Sequence, residues 1–333
     1  PSVLAYAELV GLAPATGLYA AIGSMALYAL LTQSHRVIVG PDTTIALLAA
    51  AVIAPLAAGD PARAAALAAL LAIMTGVVLL AASRLGLGQV ADVLARPVLI
   101  GYANGAALVL IASQLAALLG VSVPGNTFLP RLFDLAAALP ETHLPTLALG
   151  AALIALLLAL RAWLPRVPGP VVACIVAVAA MVALGLRERG VVTLTGLSPG
   201  LPAPALPDVT FSAVRALAGG AIALAFLVFA EGVVLARTLA ERRGESVDPG
   251  AELRALGAAN VGAGILGGFN VGASGSRSIT ADAAGGRTQG TQFVALALLV
   301  AFTAFLAPLL DWLPRVALAA ILIVAAIHLL DVA

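Results

Sequence analysis

The stretch 267–289, GGFNVGASGSRSITADAAGGRTQ, gathers glycines, hydroxyls and cations in a chain that is otherwise almost continuous hydrocarbon. Two glycines open it, a brief extended run follows through Phe269, Asn270 and Val271, and Ser274, Gly275, Ser276 and Arg277 lead into an Ala-rich stretch. That order predicts a short strand feeding a half-helix. A helix start presents unpaired N–H groups and the positive end of the helix dipole, so the chemistry expected here is anion binding.

A similar prelude occurs once more, in HRVIVGPDTT at 35–44. The β-branched run from Val37 to Val39 predicts extended chain, and Gly40 and Pro41 then give way to a helix start at Asp42, Thr43 and Thr44. Asp42 or Thr43 suits an N-cap, and Pro41 tolerates the entry. Asp42 is expected to cap rather than to bind substrate, while Thr43 and Thr44 can add hydroxyls to a site. In lipid no strand can be left unpaired, so the two extended pieces should pair with each other inside protein.

Two acids extend the parallel. Glu8 precedes Pro41 by 33 residues and Glu231 precedes Ser274 by 43, the difference of ten matching the polar loop ERRGESVDPG at 241–250. Each half would then carry one acid in its first span and one broken helix in its third. A carboxyl in low dielectric can be protonated near neutral pH and carry its proton with a substrate, so Glu8 and Glu231 are the candidates for coupling. The alternatives are a pore-mouth acid for Glu8, and for Glu231 an ion pair to Arg277 or Arg237.

These features sit in a polytopic helical membrane protein: 62% of the 333 residues are hydrophobic and 10% charged, with a mean hydropathy of +1.12, a balance no soluble class tolerates. A net charge of +1 gives no nucleic-acid footprint. Cys174 is alone, so no disulfide framework follows. His35, His143 and His328 have no metal-ligand spacing, and neither a catalytic constellation nor a cofactor is indicated. Asn270 is expected to satisfy irregular backbone, and Gly101 with Gly105 to mark close helix packing.

About 20 apolar residues make a span, fewer where a helix is interrupted. Spans are expected near 1–10, 17–32, 42–57, 64–82, 93–119, 144–163, 168–186, 211–236, 252–266, 275–285, 290–310 and 314–330. The windows 42–57 and 275–285 are short, and interrupted segments at corresponding positions of two halves point to a transporter built from inverted repeats. Residue 1 is Pro and the first apolar stretch is short, so the sequence is expected to begin within a truncated first span; no signal peptide is visible. Arg84, Arg96, Arg161, Arg166, Arg237, Arg242, Arg243 and Arg254 share one expected side, the richer in cations and therefore the cytoplasmic one.

At these residues the chain resembles the sulfate permease (SulP) family, also called solute carrier family 26, and most of all its bacterial members. PSVLAYAELVGLAPATGLYAA is similar to that family's first-span signature, RPVLIGYANGAALVLIASQL at 96–115 to its fifth span, ASGSRSITADAAGGRTQ to its tenth and PRVALAAILIVAAIHLLD to its twelfth. The resemblance implies an all-α membrane fold of fourteen segments in two inverted repeats of seven, as in uracil permeases, with short strands before two half-helices. The first repeat would be 1–186, a connecting segment 187–210, and an incomplete second repeat 211–333. A core domain of spans 1–4 and 8–11 would move, elevator-like, against a gate domain of spans 5–7 and 12. By the same resemblance the sequence would stop after the twelfth span, and the family's last two spans and its STAS domain would be absent from it.

The resemblance also implies a substrate site lined by Ser2, Tyr6, Pro41, Asp42, Thr43, Thr44, Ser274, Gly275, Ser276 and Arg277. The hydroxyl of Ser276 and backbone N–H groups would hold the anion, Arg277 would supply positive field from behind, and Tyr6 would offer its ring edge. The structural alternative is that Ser276 caps a helix, Arg277 pairs with a structural acid and Tyr6 packs. Ser2 stands where the family usually has Gln, which tilts the expectation toward a roomier pocket and an organic carboxylate. Asp42 puts a carboxylate beside a site for anions, and Glu8 is not shared by all members.

The expected function is proton-coupled symport of sulfate, bicarbonate or a dicarboxylate such as fumarate in a bacterial inner membrane, with H+ favoured over Na+ as coupling ion. An uncoupled exchanger or channel, or a nucleobase permease of the same fold, are the alternatives, and an enzyme is not expected. The partners are the anion and the bilayer, no nucleic acid is expected, and whether the chain is a monomer or a homodimer stays open.

Overall fold

A computed structural model describes residues 2–86, 96–121, 128–164, 167–194, 200–207, 210–241, 244–283 and 285–327. In chain order the elements are α1 (Ser2–Val10), α2 (Ala15–Leu31), β1 (Val39–Gly40), α3 (Thr43–Ala57), α4 (Pro61–Arg84), α5 (Arg96–Leu119), α6 (Phe128–Ala137), α7 (Leu144–Trp163) and α8 (Gly169–Ala183). Then come α9 (Phe211–Glu241), α10 (Pro249–Ile265), β2 (Gly272–Ala273), α11 (Gly275–Ala283), α12 (Gly290–Ala301) and α13 (Arg315–Ile327). Among the described residues α4, α7 and α9 are each long and apolar enough to cross a membrane, and α1 with α2 passes the same test as a pair bent by 113°, the form of a broken span or a re-entrant loop. The bend falls where Gly11 takes a φ of +82°, a left-handed conformation that glycine adopts without the Cβ clash other residues meet.

Local chemistry sets the helix ends. Asp60 caps α4 by accepting from the N–H groups of Ala62 and Arg63, with Pro61 at the first helical position, and Asp248 caps α10 by accepting from Gly250 and Ala251 in front of Pro249. Each is an acid that satisfies orphan donors and suits the positive end of the dipole.

By its contacts the chain divides into two units. One comprises 6–95 and 200–305, with α10 at its centre, flanked by α4, α2 and α9. The backbones touch because the contact positions lack side chains. A Cβ on Gly23 would lie 2.3 Å from the carbonyl oxygen of Gly262, and one on Gly76 would lie 2.5 Å from that of Gly257. With lipid as solvent there is little hydrophobic drive between helices, and such small-residue contacts supply packing instead. Val77, Ile222 and Phe226, each more than half exposed, are the residues an apolar solvent would cover.

The other unit comprises 1–5, 96–199 and 306–333 and is built around α13, which packs on α5, α7 and α8. Gly150 on α7 admits Leu118 and Val316, whose methyl carbons a Cβ there would meet at 2.5 and 2.7 Å. An antiparallel bridge joins Thr193 to Pro314, with Leu194 N donating to Leu313 O at 2.9 Å and Arg315 N to Val192 O at 3.0 Å. Beside it the Arg187 guanidinium lies 5.4 Å above the centre of the Trp312 ring.

Two expectations are corrected. Gly105 is exposed and a Cβ there would meet open space, so close packing does not occur at it; the surroundings of Gly101 lie outside the described residues. The span expected at 290–310 is not one helix: α12 stops at Ala301 and continues as a π-turn over Phe302–Leu306 and a 3-10 turn over Ala307–Trp312.

Candidate functional site

β1 and β2 pair antiparallel, Val39 opposite Ala273 and Gly40 opposite Gly272, so the two half-helices α3 and α11 start from one two-stranded ribbon. The ladder lies one to three residues later than the apolar patterns suggest, because side chains have taken the backbone groups before it. Asn260 occupies both the N–H and the C=O of Val271. Ser278 Oγ accepts from Ile38 N, Gln292 Oε1 accepts from Val39 N, and Gln289 Nε2 donates to the carbonyls of Ser34 and Val37. Ser274 N donates to Ile38 O at 2.9 Å, which carries the pairing up to the start of α11. Irregular backbone buried at this depth thus finds partners within the protein, as a water-free surrounding requires.

Beyond the ribbon, residues expected to form a site converge from four helices. Arg277 Nη2 donates to Pro41 O at 2.7 Å, crossing from α11 to the residues before α3, and its guanidinium lies against Gly40, where a Cβ would be 3.3 Å from Nη1. Among the described residues no ion pair holds Arg277, and its buried Nε has no hydrogen-bond acceptor. Thr44 Oγ1 donates to Glu231 of α9 at 2.8 Å and lies 3.5 Å from Asp42 Oδ1. The Tyr6 hydroxyl from α1 is in hydrogen-bonding reach of Thr43 and within electrostatic range of Asp42 and Arg277. Tyr6, Thr43, Thr44 and Ser274 are buried, Gly275 is half-buried, and Ser276 is exposed at the second position of α11. A Cβ on Gly275 would meet open space, so the mouth of α11 is unobstructed there.

Two details depart from expectation. Asp42 holds the N-cap position of α3 with extended backbone, yet its carboxylate makes no capping hydrogen bond and turns toward Thr44. Asn270 donates to Thr75 Oγ1 at 2.8 Å instead of to irregular backbone, a task that falls to Asn260. Glu231 binds the Thr44 hydroxyl, and no ion pair joins it to Arg277. Glu8 is half-buried on α1, and Ser2, the first residue of that helix, clusters with the α13 unit. His328 lies outside the described residues, within which no metal-binding group of His, Cys, Asp and Glu occurs.

A half-helix start with a guanidinium paired to no acid among the described residues, and with hydroxyls and a tyrosine nearby, is an arrangement for an anion. The profile of the sulfate permease family matches residues 1–333. The chain belongs to that family. It is 43% identical over 331 residues to a probable sulfate transporter of Mycobacterium tuberculosis, covering 99% of this chain and 59% of the relative. Human solute carrier family 26 member 6 is 29% identical over 348 residues, covering 97% and 46%. The chain thus spans between about half and three fifths of these relatives' length. The same fold occurs in murine solute carrier 26 family member A9 in the inward-facing state, with a TM-score of 0.93 and 23% identity over 99% of this chain and 58% of that one. It occurs too in the transmembrane domain of a cyanobacterial bicarbonate transporter, BicA, at 0.89 and 23%, over 99% and 85%.

The chain also carries polar groups that its sequence patterns did not single out. Glu252 of α10 is fully buried and takes hydrogen bonds from Tyr28 and Thr32. Arg36, at 7% side-chain exposure, pairs with Asp282 at the end of α11 and with Glu245, and the hydrogen bond to Asp282 holds the guanidinium pKa above its ordinary value. An acid inside the span expected at 252–266 is the signal that could have singled out Glu252. The partners of Tyr28 and Arg36 lie more than 200 residues away in sequence, and no local pattern announces them.

Proposed function

We propose that this permease is a secondary active transporter of small oxyanions, sulfate first, working by proton-coupled symport in a bacterial inner membrane. The observation that carries the reading is the Arg277 guanidinium, held by Pro41 O and by no acid among the described residues, at the junction of the two half-helices. It is supported by the buried hydroxyls of Thr43 and Thr44 beside it, by the family, and by a relative named as a probable sulfate transporter. Bicarbonate, for which BicA is named a transporter, and a dicarboxylate are the next substrates in order.

Glu231, and Glu8 on α1, are the carboxyls proposed to take the proton. Protonation of Glu231 would remove a negative charge that, with Asp42, opposes an anion at the half-helix starts. The unit of 6–95 and 200–305 is proposed as the moving core of an inverted-repeat elevator, and the α13 unit as its gate. Uptake of labelled sulfate, bicarbonate, fumarate and uracil by the purified chain in proteoliposomes tests the reading. Saturable sulfate uptake that uracil does not compete supports it. Uptake of uracil without uptake of any anion overturns it in favour of a nucleobase permease.

A further inference from the structure

We propose that Asn260 is the positioning residue of the anion site: its carboxamide stands in for a missing strand and fixes where α11 begins. The proposal rests on the anion-transport reading for its functional readout. Asn260 is fully buried on α10. Its Nδ2 donates to Val271 O at 3.0 Å, while its Oδ1 accepts from Val271 N at 3.1 Å. One side chain therefore meets both backbone groups of one residue, as a neighbouring strand would. A second bond from Nδ2 to Leu256 O at 3.0 Å anchors the carboxamide to its own helix and sets which end is the donor.

The placement matters because Val271 is the last residue before the ribbon. Gly272 pairs with Gly40 and Ala273 with Val39, Ser274 N reaches Ile38 O, and α11 starts at Gly275. Arg277 follows six residues after Val271 and reaches Pro41 O. Only the paired ribbon and the first turn of α11 separate Val271 from that guanidinium, so a shift at Val271 would be passed to Ser276 and Arg277. Around Asn260 the helix is clamped by backbone contact on two faces, Gly262 against Gly23 and Gly257 against Gly76. The carboxamide is thus carried by a helix seated by direct backbone contact. Its neighbour Asn270 gives Nδ2 to Thr75 Oγ1 at 2.8 Å and reaches Asn260 Oδ1 at 3.5 Å, so it buttresses that carboxamide rather than bonding Val271 itself.

The chemistry selects asparagine. Aspartate keeps the acceptor for Val271 N–H and loses the donor to Val271 O, leucine loses both, and glutamine is one methylene too long for the same two contacts. A buried N–H or C=O left without a partner is costly in a surrounding without water.

The test uses the full chain in proteoliposomes with labelled sulfate, comparing wild type with Asn260→Leu and Asn260→Asp. A rise in KM of about tenfold or more is expected for Asn260→Leu, with the maximal rate within a few fold, and a smaller rise for Asn260→Asp. Hydrogen exchange should quicken in 268–280 while α2 and α4 keep their protection. An unchanged KM overturns the proposal, and so does exchange that quickens equally in α2 and α4, which marks a general packing defect. Should Asn260→Leu fail to fold, the isosteric Asn260→Asp decides on the same readouts. Should wild type show no saturable sulfate uptake, the transport reading fails on its own, and exchange in 268–280 of Asn260→Asp still decides the role of Asn260.

Discussion

At the scale of single residues the site is defined by what Arg277 does with its charge. A cation in a membrane helix is costly and is retained where it pairs or works. Here the guanidinium spends one N–H on Pro41 O and none on a carboxylate among the described residues. Pro41 O belongs to the residues before α3, so the same bond that locates Arg277 ties the two half-helix starts together. Arg277→Ala removes both the field and the tie, and a charge-assisted hydrogen bond is worth about 1.5–3 kcal/mol. We expect sulfate affinity, measured by equilibrium binding to the purified chain, to fall by at least about tenfold to a hundredfold. Wild-type affinity in that variant would show that the anion binds elsewhere. Asp42 works in the opposite sense. A capping carboxylate would have been neutralised by helix N–H groups, but this one turns toward Thr44 and Glu231, leaving negative charge near an anion site. Under the proposed symport, proton uptake beside the substrate would lower that repulsion at the time of binding.

At the scale of elements, the short strands and half-helices were legible in the sequence because they interrupt it. Gly-Pro-Asp-Thr-Thr and Gly-Ser-Arg-Ser stand out against alanine and leucine, and membrane physics requires the two extended pieces to find each other. The pairing register and the role of Asn260 were not legible. An asparagine in an Ala- and Gly-rich helix has no local mark of purpose, and its partner Val271 lies eleven residues on, across a turn. The packing of α10 was equally hidden. The chain has 33 glycines, and spacing alone pointed to Gly101 and Gly105, whereas the backbone contacts fall at Gly23 with Gly262 and Gly76 with Gly257. A side chain at Gly23 meets backbone rather than a movable side-chain tip, so the helices must part. Overpacking of this kind costs about 1–3 kcal/mol, occasionally more. Gly23→Val should therefore lower the thermal midpoint of the detergent-solubilised chain, whereas Gly105→Val, in open space, should leave it unchanged. Equal midpoints for the two variants would refute the packing of α10 against α2.

At the scale of the whole molecule, the proposed symport would tie Glu8 and Glu231 to a measurable slope. Each coupled proton contributes about 1.4 kcal/mol per pH unit of inward gradient, which corresponds to about tenfold in accumulation. With the membrane potential clamped at zero, steady-state sulfate accumulation should rise by that factor per pH unit for one coupled proton, and by its square for two. Neutral glutamine cannot take up a proton at working pH. Glu8→Gln should flatten the dependence on the gradient while leaving counterflow exchange of sulfate, which needs no net proton movement. If Glu8→Gln keeps the wild-type slope and Glu231→Gln loses it, the proton belongs to the acid that Thr44 holds. The two outcomes separate a carrier group on α1 from one on α9, beside Asp42. A wild-type accumulation that ignores the gradient would remove the proton from the mechanism altogether. The permease would then be an uncoupled exchanger or channel, in which Glu231 serves to orient Thr44 and the anion moves down its own gradient.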